Sequence, residues 1–434
     1  MWRRDSIGIP LRVQSPQIVP CSHERSQMEL GVIVLVTERF ISTGILRSLG
    51  RQGVPVYTIG GKSSVKLFSR YSSRSMCWPN EADESKVEFL ESLAAQQGLT
   101  GWGLFLTTDQ DVKFVGQYHR RLAKHFRLTT PSFAESSWAY DKRLTYRLAD
   151  KLRVDHPWTI SPANRLEVEK LCCLYPVILK PTVKEVTNSF TLARAWRVNT
   201  HEELLRRYDE ACHLVHPNEV MIQDWIPGGV EGNVSVGAIC DAGKVIGSLV
   251  VKKTRSYPID FSQGSTAVQT TSQPECQDAV WRLLSATRHT GPIEMEFKFD
   301  PRTGQYKLLD VNPRLWLWHS IGPLAGVDFP YLLWKLILGE AVVTPKGSDD
   351  VRWIRMSGDM RAVFQEILAG TFSPVKYLNS LRTPLAFAMF SVDDPLPGLL
   401  QLPYKVFRRV WKHEPSKKIE DPLLPAVRIG TRVR

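Results

Sequence analysis

The sequence contains no C-x-x-C pair, no G-x-G-x-x-G turn, no internal repeat and no apolar run approaching a membrane span. Each absence removes a class of protein. Seven cysteines, an odd number without paired spacing, argue against a disulfide framework and a zinc ribbon. They read instead as free, mostly buried thiols in a reducing compartment. A spanning helix needs roughly 18–20 apolar residues. The longest candidates here, Tyr331–Leu338 and Pro384–Val392, are short and read as core segments. The first residues are basic but lack the apolar stretch of about 7–15 residues that a secretory signal needs. Met28 falls just before the first clear strand, so residues 1–27 read as a disordered extension or an alternative start. The expected location is cytoplasmic.

At 434 residues, the chain calls for two or three domains rather than one core. The net charge is +12, and residues 346–434 hold 15 Lys and Arg against 9 Asp and Glu. A basic surplus can serve nucleic acid, membrane lipid or phosphorylated ligands. No nucleic-acid recognition motif accompanies this one, so a nucleic-acid partner is not expected.

From Leu30 to Gly60 an apolar run (Val32–Val36), a helically spaced set (Ile41, Ile45, Leu46, Leu49) and a second apolar run (Val54–Ile59) follow one another. That order is a βαβ unit of a parallel sheet. A helix over 84–97 and a strand over 103–107 continue it. Asp109 lies just past the strand's carboxyl end, placed equally well for a substrate contact or a helix N-cap. Beyond Pro131 the text turns helical over 138–154, then strand-like at Tyr175–Pro181 and Glu219–Gly229. Two longer strands meet at Asp241-Ala242-Gly243, a good hairpin turn. A helix near Cys276–His289 leads to a last strand pair, PIEMEFKFD and YKLLDVN, joined by Pro301–Gly304. After it come a helix over Met360–Leu368 and a proline-punctuated run, DDPLPGLLQLP, expected to be extended or turning.

The last hairpin carries the chemistry. Strand side chains alternate, so Glu294, Glu296 and Lys298 share a face, as do Asp310 and Asn312 on the partner strand. Closing the turn brings Glu296 near Asp310 and Asn312, with Arg314 just past the strand end. Two carboxylates and an amide oxygen form an all-oxygen site suited to Mg²⁺. Without a cation, acids grouped among Ile293, Met295, Phe297, Leu308, Leu309 and Val311 would repel one another and lose hydration. Lys180 ends the apolar strand PVILKP, where a nucleotide phosphate or a snorkelling stem would each explain it. Gln223, Asp224, Trp225 and Ile226 end another apolar strand before a Pro-Gly break, where backbone groups can meet an adenine edge.

The order and spacing of these elements, with the phrases PVILKP, Lys253-Thr254-Arg255-x-Tyr257-Pro258, EFKFD and LLDVNPRLWLWH, resemble the ATP-grasp superfamily over about residues 30–340. The resemblance is nearest its uncharacterised carboxylate–amine ligase-like branch. It implies an α/β and α+β architecture, an ATP-grasp fold with an N-terminal Rossmann-like preATP-grasp domain. The implied boundaries are 28–128 for that domain, 129–228 for a small lobe with linker helices and 229–345 for a large lobe with the metal site. A basic C-terminal extension would occupy 346–434. The resemblance further implies ATP and Mg²⁺ as cofactors. Lys142 and Lys180 fall to the phosphates; Gln223, Asp224, Trp225 and Ile226 to the adenine hinge; Glu231 to the ribose region. Glu296, Asp310 and Asn312 become metal ligands, and Arg314 meets the transferred phosphoryl group or the acyl-phosphate. Lys253, Arg255 and Tyr257 fall where basic side chains face phosphate or substrate. Two departures stand out: Asp310 replaces the more common Glu, and the loop 182–190 lacks the family's glycines.

The expected activity is ATP-dependent joining of a small-molecule carboxylate to an amine through an acyl-phosphate, with ADP and phosphate released. Two rivals accompany it: a kinase-like phosphoryl transfer at the same site, and a basic protein that keeps the fold but binds a membrane surface. Tyr404–Lys412 supports the last, because its aromatic and basic residues separate to opposite helix faces and would allow peripheral contact with an inner membrane surface. A C-terminal helix packed on the enzyme explains the same stripe. Trp316 and Trp318 flank Arg314, and core packing is their default role.

Overall fold

In the computed structural model, the described residues are 30–61, 67–183, 188–257, 264–368, 370, 372–381, 384–401 and 403. The Tyr404–Lys412 stripe and residues 1–29 lie outside them.

Five parallel strands form the first sheet: β1 (Val32–Val36), β2 (Val56–Gly60), β3 (Arg74–Cys77), β4 (Gly103–Phe105) and β5 (Arg127–Leu128), in the order β3-β2-β1-β4-β5. β1 is buried along its whole length, which is why it reads as an unbroken apolar run. Helix α1 (Arg39–Arg51) follows it, with Glu38 as N-cap accepting from the Phe40 N–H at 3.1 Å. Its Ile41, Ile45, Leu46 and Leu49 are all buried, each stabilising the packed state by about 1.5–3 kcal/mol. After β4, helix α3 (Asp109–Gln117) is capped by Thr108 in a capping box with Asp111. Asp109 is therefore the first helical residue rather than the cap. Helix α2 (Asp83–Gln96) covers the same sheet.

Four antiparallel strands form a small second sheet, ordered β6-β9-β7-β8: β6 (Thr159–Ile160), β7 (Val177–Pro181), β8 (Trp196–Val198) and β9 (Val220–Asp224). The helical stretch before it does not run through 138–154 as expected. It divides into helices Phe133–Tyr140 and Lys142–Lys151, because Asp141 adopts extended dihedrals and caps the second helix through the Arg143 N–H.

The third sheet has seven strands, ordered β14-β13-β10-β11-β12-β15-β16. They are β10 (Asn233–Asp241), β11 (Lys244–Ser256), β12 (Ser265–Thr270), β13 (Gly291–Asp300), β14 (Gln305–Asn312), β15 (Arg352–Ile354) and β16 (Leu385–Phe387). Ala242 and Gly243 form the two-residue β10–β11 turn, both with positive φ (45° and 88°), as the right-handed strand twist requires. The sheet does not stop at residue 345. β15 and β16 add two strands from the segment expected to be a separate extension.

One apolar cluster joins the first sheet to the third. Ile41, Ile45 and Leu46 pack with Trp316, Trp318 and Phe329, all essentially sealed from solvent. The buried pair Arg47–Asp394 (3.0 Å) anchors the C-terminal segment to α1. Asp394 also accepts from Ser69 Oγ and the Arg70 N–H. Beside it, the proline-rich run turns, the second of its two expected forms, and forms one short helix, Leu396–Leu399. Among the described residues no single helix is long and apolar enough to cross a membrane. Of six described cysteines, all free, only Cys240 and Cys276 are buried, fewer than composition suggests.

Candidate active site

The hairpin β13–β14 makes the site through one irregularity. Phe297 pairs with Leu308, yet the next pair is Glu296 with Asp310, followed by Met295–Val311 and Glu294–Asn312. Leu309 is thus an extra residue, a β-bulge, on β14. In a regular ladder Glu296 would face Leu309, and Asp310 would lie on the other side of the sheet. The bulge sets Asp310 directly across from Glu296, and Asn312 across from Glu294. It also frees the Leu309 carbonyl, which accepts from Tyr146 Oη at 2.8 Å and from Lys180 Nζ at 3.3 Å.

Glu294 was not among the expected site residues. Its carboxylate accepts from Asn312 Nδ2 (3.2 Å) and from the Trp318 indole N–H (2.6 Å). Burial, aided by the neighbouring Glu296 charge, pushes its carboxyl up to about 7. Burial also works to raise the Glu296 carboxyl, but the Lys253 ammonium outweighs it and holds that group below its usual range. The paired acids consequently differ, with Glu296 the more firmly ionised.

Basic side chains converge from three directions. Lys142, the first residue of its helix, ion-pairs with Asp310, and Lys253 on β11 ion-pairs with Glu296. Burial opposes the Lys142 charge, yet Asp310, with Tyr146 and Asp109, outweighs it and raises the pKa. Lys180, on β7, has no carboxylate in contact. It reaches Gln223 Oε1 at 3.2 Å and Tyr146 Oη at 3.4 Å. Burial, with Lys142 adding like-charge repulsion, lowers it to about 7. Arg314 leaves the end of β14 and bonds Asp109 at 2.8 Å and Asn312 Oδ1 at 3.2 Å. That first contact ties the third sheet to the carboxyl end of β4, so Asp109 acts as the partner of Arg314. Asp109, Lys142, Thr182, Asp310 and Asn312 line one crevice. The Thr182 hydroxyl is buried there without a partner.

The oxygen set of Glu296, Asp310 and Asn312 suits a hard divalent cation, and the Lys142 and Lys253 ammonium groups cap its two carboxylates. The side chains at the other expected positions are engaged elsewhere in the fold or exposed. The Gln223 side chain is buried and bridges Lys180 to Thr159 Oγ1 (2.9 Å), so it supports the lysine and does not face outward. Asp224 pairs with Arg302 at 2.7 Å. The Trp225 ring is covered by the Arg197 guanidinium at 4.3 Å and by Lys298 at 5.7 Å, while Ile226 is buried. Glu231 lies exposed in the turn Val230–Gly232. Arg255 departs most from expectation: a buried, two-point pair with Asp359 (2.7 and 2.8 Å) occupies its guanidinium. Tyr257 is half-buried at the end of β11. Trp316 and Trp318 belong to the core.

Two residues that sequence reasoning missed had local signals. Glu294 is two positions before Glu296, on the same strand face. Tyr146 is one helical turn after Lys142.

No family model matches the chain. A D-aspartate ligase from Enterococcus faecium (strain Aus0004) is 22% identical over 223 residues, 48% of this chain and 51% of that protein. The match therefore spans about half the length of that curated relative. Among solved structures, a biotin carboxylase from Campylobacter jejuni in complex with β,γ-ATP matches with a TM-score of 0.60 and 16% identity over 75% of each chain. An L-amino acid ligase from Bacillus licheniformis matches with a TM-score of 0.55 and 15% identity over 73% of this chain and 75% of that one. The carboxyaminoimidazole ribonucleotide synthase of Aspergillus clavatus, complexed with ATP, gives 0.56 and 11% over 75% and 81%. The chain has the ATP-grasp fold, as the sequence resemblance implied.

Proposed function

We propose that the protein is an ATP-dependent ligase that activates a small-molecule carboxylate for attack by an amine. The observation that carries this reading is the bulged hairpin. It gathers Glu296, Asp310 and Asn312 at one point and surrounds them with Lys142, Lys180 and Arg314 from three separate segments.

Within this reading a carboxylate oxygen attacks the γ-phosphorus of ATP, the bond to ADP breaks, and an acyl-phosphate forms. The amine then attacks the carbonyl carbon, phosphate leaves, and the amine nitrogen loses its proton. Phosphoryl transfer needs positioning and neutralisation of spread charge more than covalent help from the protein. Lys142 and Lys180 supply that charge from the small-lobe side, and Arg314 supplies it from the hairpin end. Magnesium held by Glu296, Asp310 and Asn312 would add Lewis-acid neutralisation of the phosphate oxygens. Asp109 holds the Arg314 guanidinium through their 2.8 Å contact, and Glu294 fixes the Asn312 amide through its NH₂ group. The sequence relative named as a D-aspartate ligase supports this chemistry.

The test is a screen of purified protein with MgATP against pairs of carboxylates and amines, reading ADP release and the mass of the condensed product. A pair-dependent product is the expected result. ADP formed with phosphorylated hydroxyl products and no condensation would overturn the ligase reading.

A further inference from the structure

The helix Met356–Leu368 follows β15 and packs on β11 and β12. Asp359, Ala362 and Val363 fill its inner face, and the buried Arg255 guanidinium fixes the Asp359 carboxylate there. The outer face of a helix that covers a sheet ordinarily carries polar side chains. Here it carries Met360, Phe364 and Leu368, spaced one turn apart and 60, 64 and 71% exposed. The helix Pro374–Ser380 repeats the arrangement. Its Tyr377 hydroxyl donates to the Met356 sulfur at 3.8 Å, and the Tyr377 ring lies 5.3 Å from the Arg255 guanidinium, so the two helices adjoin. That leaves Val375 and Leu378 on the outside, 64 and 61% exposed.

Five large apolar side chains in water on adjoining helices mark an interaction surface. The charges beside them have one sign. Arg361 and Lys376 are exposed, whereas the only acids of the two helices, Asp359 and Glu366, are buried and half-buried. Apolar side chains flanked by cations, with no exposed acid, suit a helix lying among the headgroups of an anionic bilayer. A second copy docked on this face would meet the same cations, so like charge opposes self-association. Just beyond the described residues, Tyr404–Lys412 repeats the combination in sequence, with three aromatic residues, four basic ones and no acid. We propose that the outer faces of these two helices dock the protein on an anionic lipid bilayer. Met360, Phe364, Leu368, Val375 and Leu378 enter the acyl boundary, and Arg361 and Lys376 meet lipid phosphates. None of these residues lines the crevice of Asp109, Lys142 and Asp310, so docking and phosphoryl transfer use different surfaces. The proposal goes beyond the ligase reading and does not depend on it.

The experiment is co-sedimentation of the full chain with vesicles of phosphatidylcholine, alone or mixed with phosphatidylglycerol. Binding to the mixed vesicles, weakened by added salt, is the expected result. Phe364→Gln and Leu368→Gln should each lower affinity for them by about tenfold, the worth of one large apolar side chain withdrawn from lipid. Arg361→Gln and Lys376→Gln should each lower it by about fivefold. Glutamine keeps the helix, so circular dichroism and MgATP affinity should not move. No binding to the mixed vesicles would overturn the proposal. So would equal binding by the double variant Phe364→Gln, Leu368→Gln, which would give the contact to residues 404–434 alone. Sedimentation velocity supplies a third check: a wild-type dimer that the double variant abolishes would assign the face to a second copy and overturn lipid docking.

Discussion

Lys180 offers the sharpest test of the phosphate assignment, because its proton is poised to be gained on binding. In the unliganded site, burial and the nearby Lys142 charge lower its pKa to about 7, against an ordinary value near 10.4. Phosphate oxygens would restore the charged form. Above pH 7, binding must therefore first place a proton on the lysine. The protonated fraction is half at pH 7 and about one part in a hundred at pH 9, so MgATP affinity should fall about fiftyfold between them, or ~2.3 kcal/mol. The nucleotide phosphates are fully ionised over this range and contribute little slope. The sign for folding runs the other way. Between pH 7 and 10 the unfolded chain binds the proton more readily than the native one, so unliganded stability rises with pH. Titration calorimetry at pH 8 in buffers of different ionisation enthalpy should record uptake of nearly one proton per MgATP bound. Lys180→Arg keeps its charge at every accessible pH, so its affinity should be level from pH 7 to 9 with no uptake. A flat wild-type profile, or an equal decline in Lys180→Arg, would refute a phosphate role for this lysine.

Three further substitutions probe the frame around the site. Asp310→Asn removes one negative charge from the oxygen set and leaves Lys142 without its carboxylate, so ADP release should drop by about two orders of magnitude or more with unchanged circular dichroism. Wild-type turnover in that variant would end the metal assignment. Asp359→Ala strands the Arg255 guanidinium in a buried setting and should cost about 3–5 kcal/mol in urea unfolding, whereas a loss below ~1 kcal/mol would mean water reaches the pair. Gly237→Ala would place a Cβ 2.1 Å from the Trp316 ring, so about 1–3 kcal/mol of stability should be lost; unchanged stability would show that the ring can move aside.

Where the determinants were local, the sequence was readable. The buried β1, the periodic face of α1, the Ala242-Gly243 turn and the alternation along β13 and β14 each depend on a few neighbouring residues. The split at Asp141 was in principle readable too, since aspartate is a strong N-cap. The apolar and charged spacing on both sides continued across it and concealed the break. The proline-rich run, read as extended or turning, takes the turning form. Proline is well tolerated in a first helical turn, where Pro397 stands.

The bulge at Leu309 marks where local reading ends. Nothing in KLLDVN distinguishes a bulged leucine from a paired one, and no glycine announces it. Its cause lies in partners distant in the chain: the Leu309 carbonyl is claimed by Tyr146 and Lys180, 163 and 129 residues away. Arg314 similarly finds Asp109 across 205 residues. Alternation along a strand predicts which acids share a face. Whether two strands present their acids to the same point depends on register, and long-range contacts set the register. The candidate metal ligands were therefore legible as residue types, while their convergence, and the basic side chains that balance them, follow from the assembled sheets.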